Sequence, residues 1–212
     1  MRQIDLLDFL QLDLPAVDSP KLINIRGCNG AGKSTIPMRM NETDPNTFEV
    51  TWVVENKLRV IATVFPRYQF IALGHYHAKT GGLDTISSTQ EIKDATELLW
   101  NTPWHLLLEG ILASTVRQTY IDLFSKERPT HREIVIFNIL PPIETCLQRI
   151  QQRNGGKPIK ENLVIDKWNT VENNVKYFQA AGFTTLSVDN TNIKREDTLD
   201  WFFGLIGQKS NT

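Results

Sequence analysis

An α/β three-layer sandwich, with a mainly parallel sheet between two helical layers, is what this sequence predicts, and three observations carry that expectation. Short runs dense in Val, Ile and Leu alternate with longer amphipathic stretches along most of the 212 residues, the pattern of strand–helix–strand units that sets strands parallel. The first apolar run, Leu22-Ile23-Asn24-Ile25, leads into Gly27-Cys28-Asn29-Gly30-Ala31-Gly32-Lys33-Ser34-Thr35, which fits G-x-x-x-x-G-K-[ST] at every fixed position. A third texture, β-branched and aromatic, fills residues 48–73 and adds a small antiparallel hairpin insertion.

The glycine-rich stretch makes the class more specific, a P-loop NTPase/kinase-like sandwich. Its glycines let backbone N–H groups of Gly27, Asn29, Gly30, Ala31 and Gly32 curl toward phosphate oxygens. Lys33 adds a mobile positive charge for the β- and γ-phosphates, the Ser34 hydroxyl suits Mg²⁺, and Thr35 completes the binding set.

Composition bounds the rest. With 41% hydrophobic and 22% charged residues, the chain reads as one globular domain over 1–212 with ample core. No apolar run approaches the ~20 residues of a membrane span, and acidic residues interrupt the start, so no secretory leader is expected. Cys28 and Cys146 stand far apart, which fits reduced thiols in a cytoplasmic protein. Cys28 is either a spacer or a thiol sensitised by the helix that follows. A formal charge of −1 gives no global attraction to nucleic acid, although a local groove can still be basic.

Taken in order, residues 1–20 form an N-terminal extension, with Ile4, Leu7, Leu10 and Leu14 at helical spacing. Lys21 to Arg26 is the first central strand. A helix opening near Gly32 is kept short by Pro37 and the turn-rich Asn41 to Asn46. Residues 48–54 and 58–65 flank the turn Glu55-Asn56-Lys57 as a hairpin, and 68–73 is a further strand. Gly74 to Ser87 reads as a loop, and Ser88-Thr89-Gln90-Glu91 as a capping box. The helix it opens gathers Ile92, Ala95, Leu98 and Leu99. Strands at 104–108 and 133–140 enclose a helix over 114–126, and Ile143, Cys146, Leu147 and Ile150 mark the next helix. Asn154-Gly155-Gly156 breaks it, making 149–160 a candidate lid. A long helix over 162–181 faces inward with Leu163, Trp168, Val171, Val175 and Phe178 and is capped by Gly182; a strand at 184–188 and a helix over 198–206 close the chain.

Several groups could carry chemistry. Glu109 ends a buried strand just before Gly110, at the sheet edge where ligands bind; it could hold Mg²⁺ or accept a proton, or be a solvated strand-end carboxylate. Asp84, after Gly81-Gly82, is the first candidate for the general base of phosphoryl transfer to an alcohol, with a turn or helix cap as the plain alternative. Arg149 and Arg153 share a helix face at i, i+4 and could close over a triphosphate or merely be solvated. His75-Tyr76-His77 lacks a third metal ligand and suits substrate contact or exposure. Trp52, Phe65, Phe70 and Trp104 suit the core better than base stacking. Lys126, Arg128, His131 and Arg132 form a small cluster expected to be solvated.

The sequence resembles a family of bacteriophage P-loop kinases, the DNA 5-hydroxymethyluracil kinases. The resemblance rests on Ile25-Arg26-Gly27 running into the phosphate loop, Gly81-Gly82-Leu83-Asp84-Thr85-Ile86, Leu108-Glu109-Gly110, Cys146-Leu147-Gln148-Arg149 and the 162–182 helix ending Ala-Ala-Gly. It spans roughly residues 21–190. It implies an enzyme that moves the γ-phosphoryl of ATP, with Mg²⁺, to the hydroxymethyl group of 5-hydroxymethyluracil in phage double-stranded DNA, a step toward hypermodified thymine in the host cytoplasm. Gly27 to Ser34 would bind the nucleotide, Asp84 would be the base, and Arg149 and Arg153 would serve the lid. The 2–14 segment and the early Pro37 depart from the family pattern. A kinase of free nucleosides or nucleotides, or an ATP-binding switch protein, shares the same phosphate loop. No zinc finger, helix-turn-helix or strong basic tract is visible, so sequence-specific DNA reading is not expected.

Overall fold

The computed structural model describes residues 2–77, 82–86, 88–126 and 132–208. Eight strands share one sheet: β1 (Gln3–Asp5), β2 (Lys21–Arg26), β3 (Phe48–Val54), β4 (Lys57–Phe65), β5 (Phe70–Leu73), β6 (His105–Glu109), β7 (Glu133–Ile139) and β8 (Thr184–Val188). Their order across the sheet is β1-β3-β4-β5-β6-β2-β7-β8. Among these strands β4 alone runs against the others. The phosphate loop therefore leaves the centre of the sheet at its carboxyl edge, the edge that binds ligands in open α/β folds.

Each central strand is buried on both faces and feeds two separate cores, because successive side chains alternate across a strand. Leu22, Leu106 and Leu108 point into one core, beneath helices α1 (Leu6–Leu10), α3 (Thr89–Leu99) and α5 (Gln118–Phe124). Ile23, Ile25 and Leu107 point into the other, beneath α2 (Thr35–Thr43), α6 (Ile143–Arg153) and α8 (Thr198–Leu205). Two further helices, α4 (Ile111–Thr115) and α7 (Glu161–Ala180), complete the layers.

Several elements depart from the sequence reading. Residues 48–73 are continuous with the main sheet, because β5 pairs with β6 in parallel through Phe70–His105 and Ala72–Leu107. The predicted N-terminal helix is a strand, β1, added to the edge of β3, and then the short α1, whose N-terminus is capped by Asp5 accepting from Leu7 N–H at 2.9 Å. Leu6 and Phe9 face the core while Leu7 is 66% exposed, the reverse of what the Ile4/Leu7/Leu10/Leu14 spacing suggests. Helix α2 begins at Thr35 and not at Gly32, since the loop turns through Lys33 and Ser34; Pro37 sits in its first turn, where a missing N–H costs little. Ser88 does cap α3, accepting from Glu91 N–H at 3.1 Å, but Thr96 takes the inward place expected of Leu98, which is exposed. The single helix expected over 114–126 is broken at Val116, which is extended. In α7, Val164, Val171, Asn174 and Phe178 are buried, whereas Leu163 is exposed and Trp168 and Val175 are half-buried. Arg132 is buried, not solvated; Arg128 and His131 lie outside the described residues.

Candidate functional site

The loop after β2 is packed against α6. Gly30 has φ +80°, and a Cβ there would meet the Cys146 carbonyl oxygen at 2.4 Å, so only glycine lets the loop lie this close to the helix. Cys28 and Cys146, both buried, fill the contact, with Cys146 holding the Cys28 thiol below its ordinary pKa. From α6, Arg149 donates to the Asn190 side chain at 3.0 Å and the Asn190 carbonyl at 3.1 Å. Asn190 in turn donates to the Ala31 carbonyl at 2.9 Å. Arg149 is thus tied to the loop, while Arg153, one turn on, is exposed at the end of α6. A cavity of about 200 Å³ opens beside Gly32 and Thr35, walled by Arg149, Asn190 and Trp201.

The lysine and the two carboxylates meet at the carboxyl edge. Lys33 is 7% exposed and its ammonium donates to the Cys28 carbonyl at 3.1 Å. Burial lowers its pKa, opposed chiefly by Glu109. Glu109 is 1% exposed, and neither carboxylate oxygen has a hydrogen-bond partner among the described residues. Burial pushes its pKa to about 7, against the pull of Lys33 and the nearby Ser34 hydroxyl; Asp84 pushes the same way as burial. The carboxylate is roofed by Gly82, where a Cβ would stand 2.5 Å from Glu109 Oε1. Gly82 is tied back by its N–H donating to the His75 carbonyl at 3.1 Å.

Asp84 follows in a single 3₁₀ turn, Leu83–Thr85. Its carboxylate accepts from the Ile111 N–H at 3.0 and 3.1 Å, which satisfies the start of α4. The side chain is also solvent-exposed, so the cap and a free face coexist. Asp84 and Glu109 therefore sit on either side of Gly110, one at the rim and one beneath it.

The sequence assigns no role to three residues of this assembly. Arg26, fully buried at the end of β2, donates to the carbonyls of Ala113, Ser114 at 2.5 Å and Val116 at 3.3 Å, and its guanidinium stands 4.5 Å over the Phe178 ring. It holds the far end of α4 and breaks the helix after Thr115; burial draws its pKa down to about 9. The Ser114 hydroxyl accepts from Gly27 N–H at 3.2 Å, locking the loop's first residue to α4. Asn190 is the third. Each acts through partners more than 80 residues away, and such pairings have no local periodicity to betray them.

The other singled-out groups have partners within the fold. His75 contacts Glu49 through Nδ1, and Asn41 meets His77 at 3.2 Å. Tyr76 is buried, with its pKa raised well above the ordinary value by burial and then by Glu109. Phe65, Phe70 and Trp104 are buried and Trp52 packs partly buried against the core. Gly81 lies outside the described residues.

A family model described as 5-hmdU DNA kinase matches residues 10–196. The chain is 44% identical over 190 residues to a 5-hmdU DNA kinase of Bacillus phage SP10, covering 87% of this chain and 29% of that protein. It is 35% identical over 158 residues to 5-hmdU DNA kinase 1 of Salmonella phage ViI, covering 71% of this chain and 67% of that protein. A 5-hmdU DNA kinase of Pseudomonas phage M6 is 36% identical over 158 residues, 71% of this chain and 81% of that protein. The chain thus spans less than a third of the Bacillus phage relative. The matched residues enclose the phosphate loop, Asp84, Glu109, Arg149 and Asn190, and on that span the chain belongs to the 5-hmdU DNA kinase family.

Proposed function

We propose that the chain is an ATP-dependent kinase that transfers the γ-phosphoryl group to the hydroxymethyl oxygen of 5-hydroxymethyluracil in double-stranded DNA. The observation that carries this reading is the buried, unpartnered carboxylate of Glu109 beside Lys33 and Ser34, at the mouth of a phosphate loop in a chain of this family. A buried carboxylate without partners is costly and is kept where an incoming charge completes it.

The phosphate loop, from Gly27 to Thr35, binds the triphosphate through its N–H groups, with Lys33 neutralising the β- and γ-phosphates. The nucleoside occupies the cavity beside Gly32, against Arg149 and Trp201. Ser34 and Glu109, neighbouring hard oxygen donors, would hold Mg²⁺, which when bound would neutralise charge on the transferring group. Asp84, fixed by the Ile111 N–H yet open to solvent, accepts the proton of the acceptor hydroxyl. The acceptor oxygen bonds to the γ-phosphorus, the bond to the bridging oxygen breaks, and ADP leaves with that electron pair. Arg149 holds the loop and nucleotide, and the 149–160 segment with Arg153 serves as a lid over the phosphates.

Incubating the protein with ATP, Mg²⁺, duplex DNA containing 5-hydroxymethyluracil and excess free 5-hydroxymethyl-deoxyuridine monophosphate, then digesting the DNA for nucleoside mass analysis, tests the reading. Gain of one phosphoryl group on the base within DNA is expected. Phosphate entering only the free nucleotide would make the chain a small-nucleotide kinase.

A further inference from the structure

Strands β3 and β4 do not stop where the central strands stop. Val50 pairs with Ala62, Ala62 with Leu73, and Ala72 with Leu107, so this row lies level with Leu108. The hairpin continues for four more residues on β3, to Val54 opposite Lys57. At about 3.3 Å per residue the tip stands roughly 10 Å beyond the level of Glu109, and β4 runs two strand spacings, roughly 10 Å, to its side. The ribbon is therefore an arm overhanging the carboxyl edge.

Its side chains are unlike those of a capped edge. Val53 and Leu58 are directly cross-strand and are 54% and 63% exposed, an apolar pair with no cover. Lys57, next to the tip, makes no ion pair among the described residues, and Arg59 lies 3.7 Å from Glu91. Glu55 and Asn56 at the turn have φ of 49° and 60°, the two left-handed positions that tie a hairpin tightly and twist it. Below the arm a solvent-open cavity of about 280 Å³ runs from Arg59 to Thr85, the neighbour of Asp84.

We propose that the β3–β4 arm seats the DNA duplex, with the Val53–Leu58 pair against the major-groove face of the acceptor step and Lys57, at the tip on the ribbon's other face, reaching a flanking phosphate. The inference rests on the kinase reading above. A two-stranded ribbon fits the major groove, and the C5 substituent of a pyrimidine projects there. Apolar contact suits that edge of the base. The Lys57 ammonium complements the polyanion, which the net charge of −1 does not attract as a whole.

Fluorescence anisotropy with a labelled duplex containing 5-hydroxymethyluracil reads the arm independently of phosphoryl transfer. Val53→Ser with Leu58→Ser is expected to weaken duplex binding about tenfold, with ATP affinity unchanged. Lys57→Gln is expected to lower the slope of log affinity against log salt by about one; this single surface change decides the matter if the double variant fails to fold. Duplex affinity and salt slope equal to wild type in both variants would overturn the proposal. So would an arm variant that changes the oligomeric state while leaving duplex affinity intact, since the arm would then seat a second copy of this chain. Wild type that binds the duplex through the arm but transfers no phosphate to it contradicts the kinase reading alone.

Discussion

The two edges of the sheet bury charge in opposite ways. At the amino edge Arg132 is 6% exposed and donates to four carbonyls, those of Lys21, Trp100, Thr102 and Trp104, at 2.6–3.1 Å. Beside it His105 accepts from the Lys21 N–H at 3.0 Å and stacks on Phe70; burial, with Arg132 and Lys21, lowers its pKa to about 4, so the ring is neutral. At the carboxyl edge Glu109 is as deeply buried and has no partner for either oxygen. A charge used to hold a fold is engaged by several acceptors at once, as the two terminal nitrogens of Arg132 are by four carbonyls, although its Nε has no acceptor among the described residues. A charge used for chemistry is left open to what it acts on.

The contrast breaks most visibly at Lys33. Lys33→Ala is expected to lower kcat/KM for phosphoryl transfer about a thousandfold or more, with a melting temperature close to wild type, as read by steady-state kinetics beside thermal unfolding. Asp84→Asn keeps an oxygen to accept from Ile111 and so keeps the cap. It should depress kcat roughly a hundredfold or more with ATP affinity unchanged; unchanged turnover would move the base role to Glu109. Arg132→Ala reverses the pattern. Four carbonyls, three of them buried, lose their donor, for a loss of about 3 kcal/mol or more, roughly 6–12 °C in melting temperature, while turnover per folded molecule stays at the wild-type level.

A finer test concerns Glu109 and pH. Its folded pKa of about 7 lies above the ordinary 4.5, so between those values the native state binds the extra proton. Stability is then fully present below about pH 4.5 and lost as pH rises through 7, by on the order of 3 kcal/mol. Denaturant unfolding from pH 5 to 8 should show this decline in wild type and not in Glu109→Gln. Parallel profiles in the two proteins would mean that Glu109 is ionised throughout the window.

How much of this was legible beforehand divides along the same physical line. The loop after β2, the central strands and the Ser88 cap declare themselves locally, through spacing of three to five residues, and the structure has each in its expected place, with α2 opening at Thr35 instead of Gly32. Glu109 and Asp84 stand out in the sequence as carboxylates at the right edge, with Asp84 the first candidate for the base. Their surroundings, the Gly82 roof over one and the Ile111 N–H on the other, are contacts that only the folded chain makes. Arg132 reads as an ordinary surface cation by residue type, and Arg26 only as the last residue of the first central strand; the carbonyls that justify burying them come from distant elements. Four apolar residues at helical spacing suggest a helix near the N-terminus; the open edge of β3 takes residues 3–5 as a strand, and the helix is confined to Leu6–Leu10.

The most direct measurement is single-turnover transfer from γ-labelled ATP to two duplexes of one sequence, one with thymine and one with 5-hydroxymethyluracil, by wild type and Asp84→Asn. Label in the hydroxymethylated duplex alone, lost in the variant although ATP still binds, is the expected result. Label in both duplexes, in neither, or equally with the variant would contradict it.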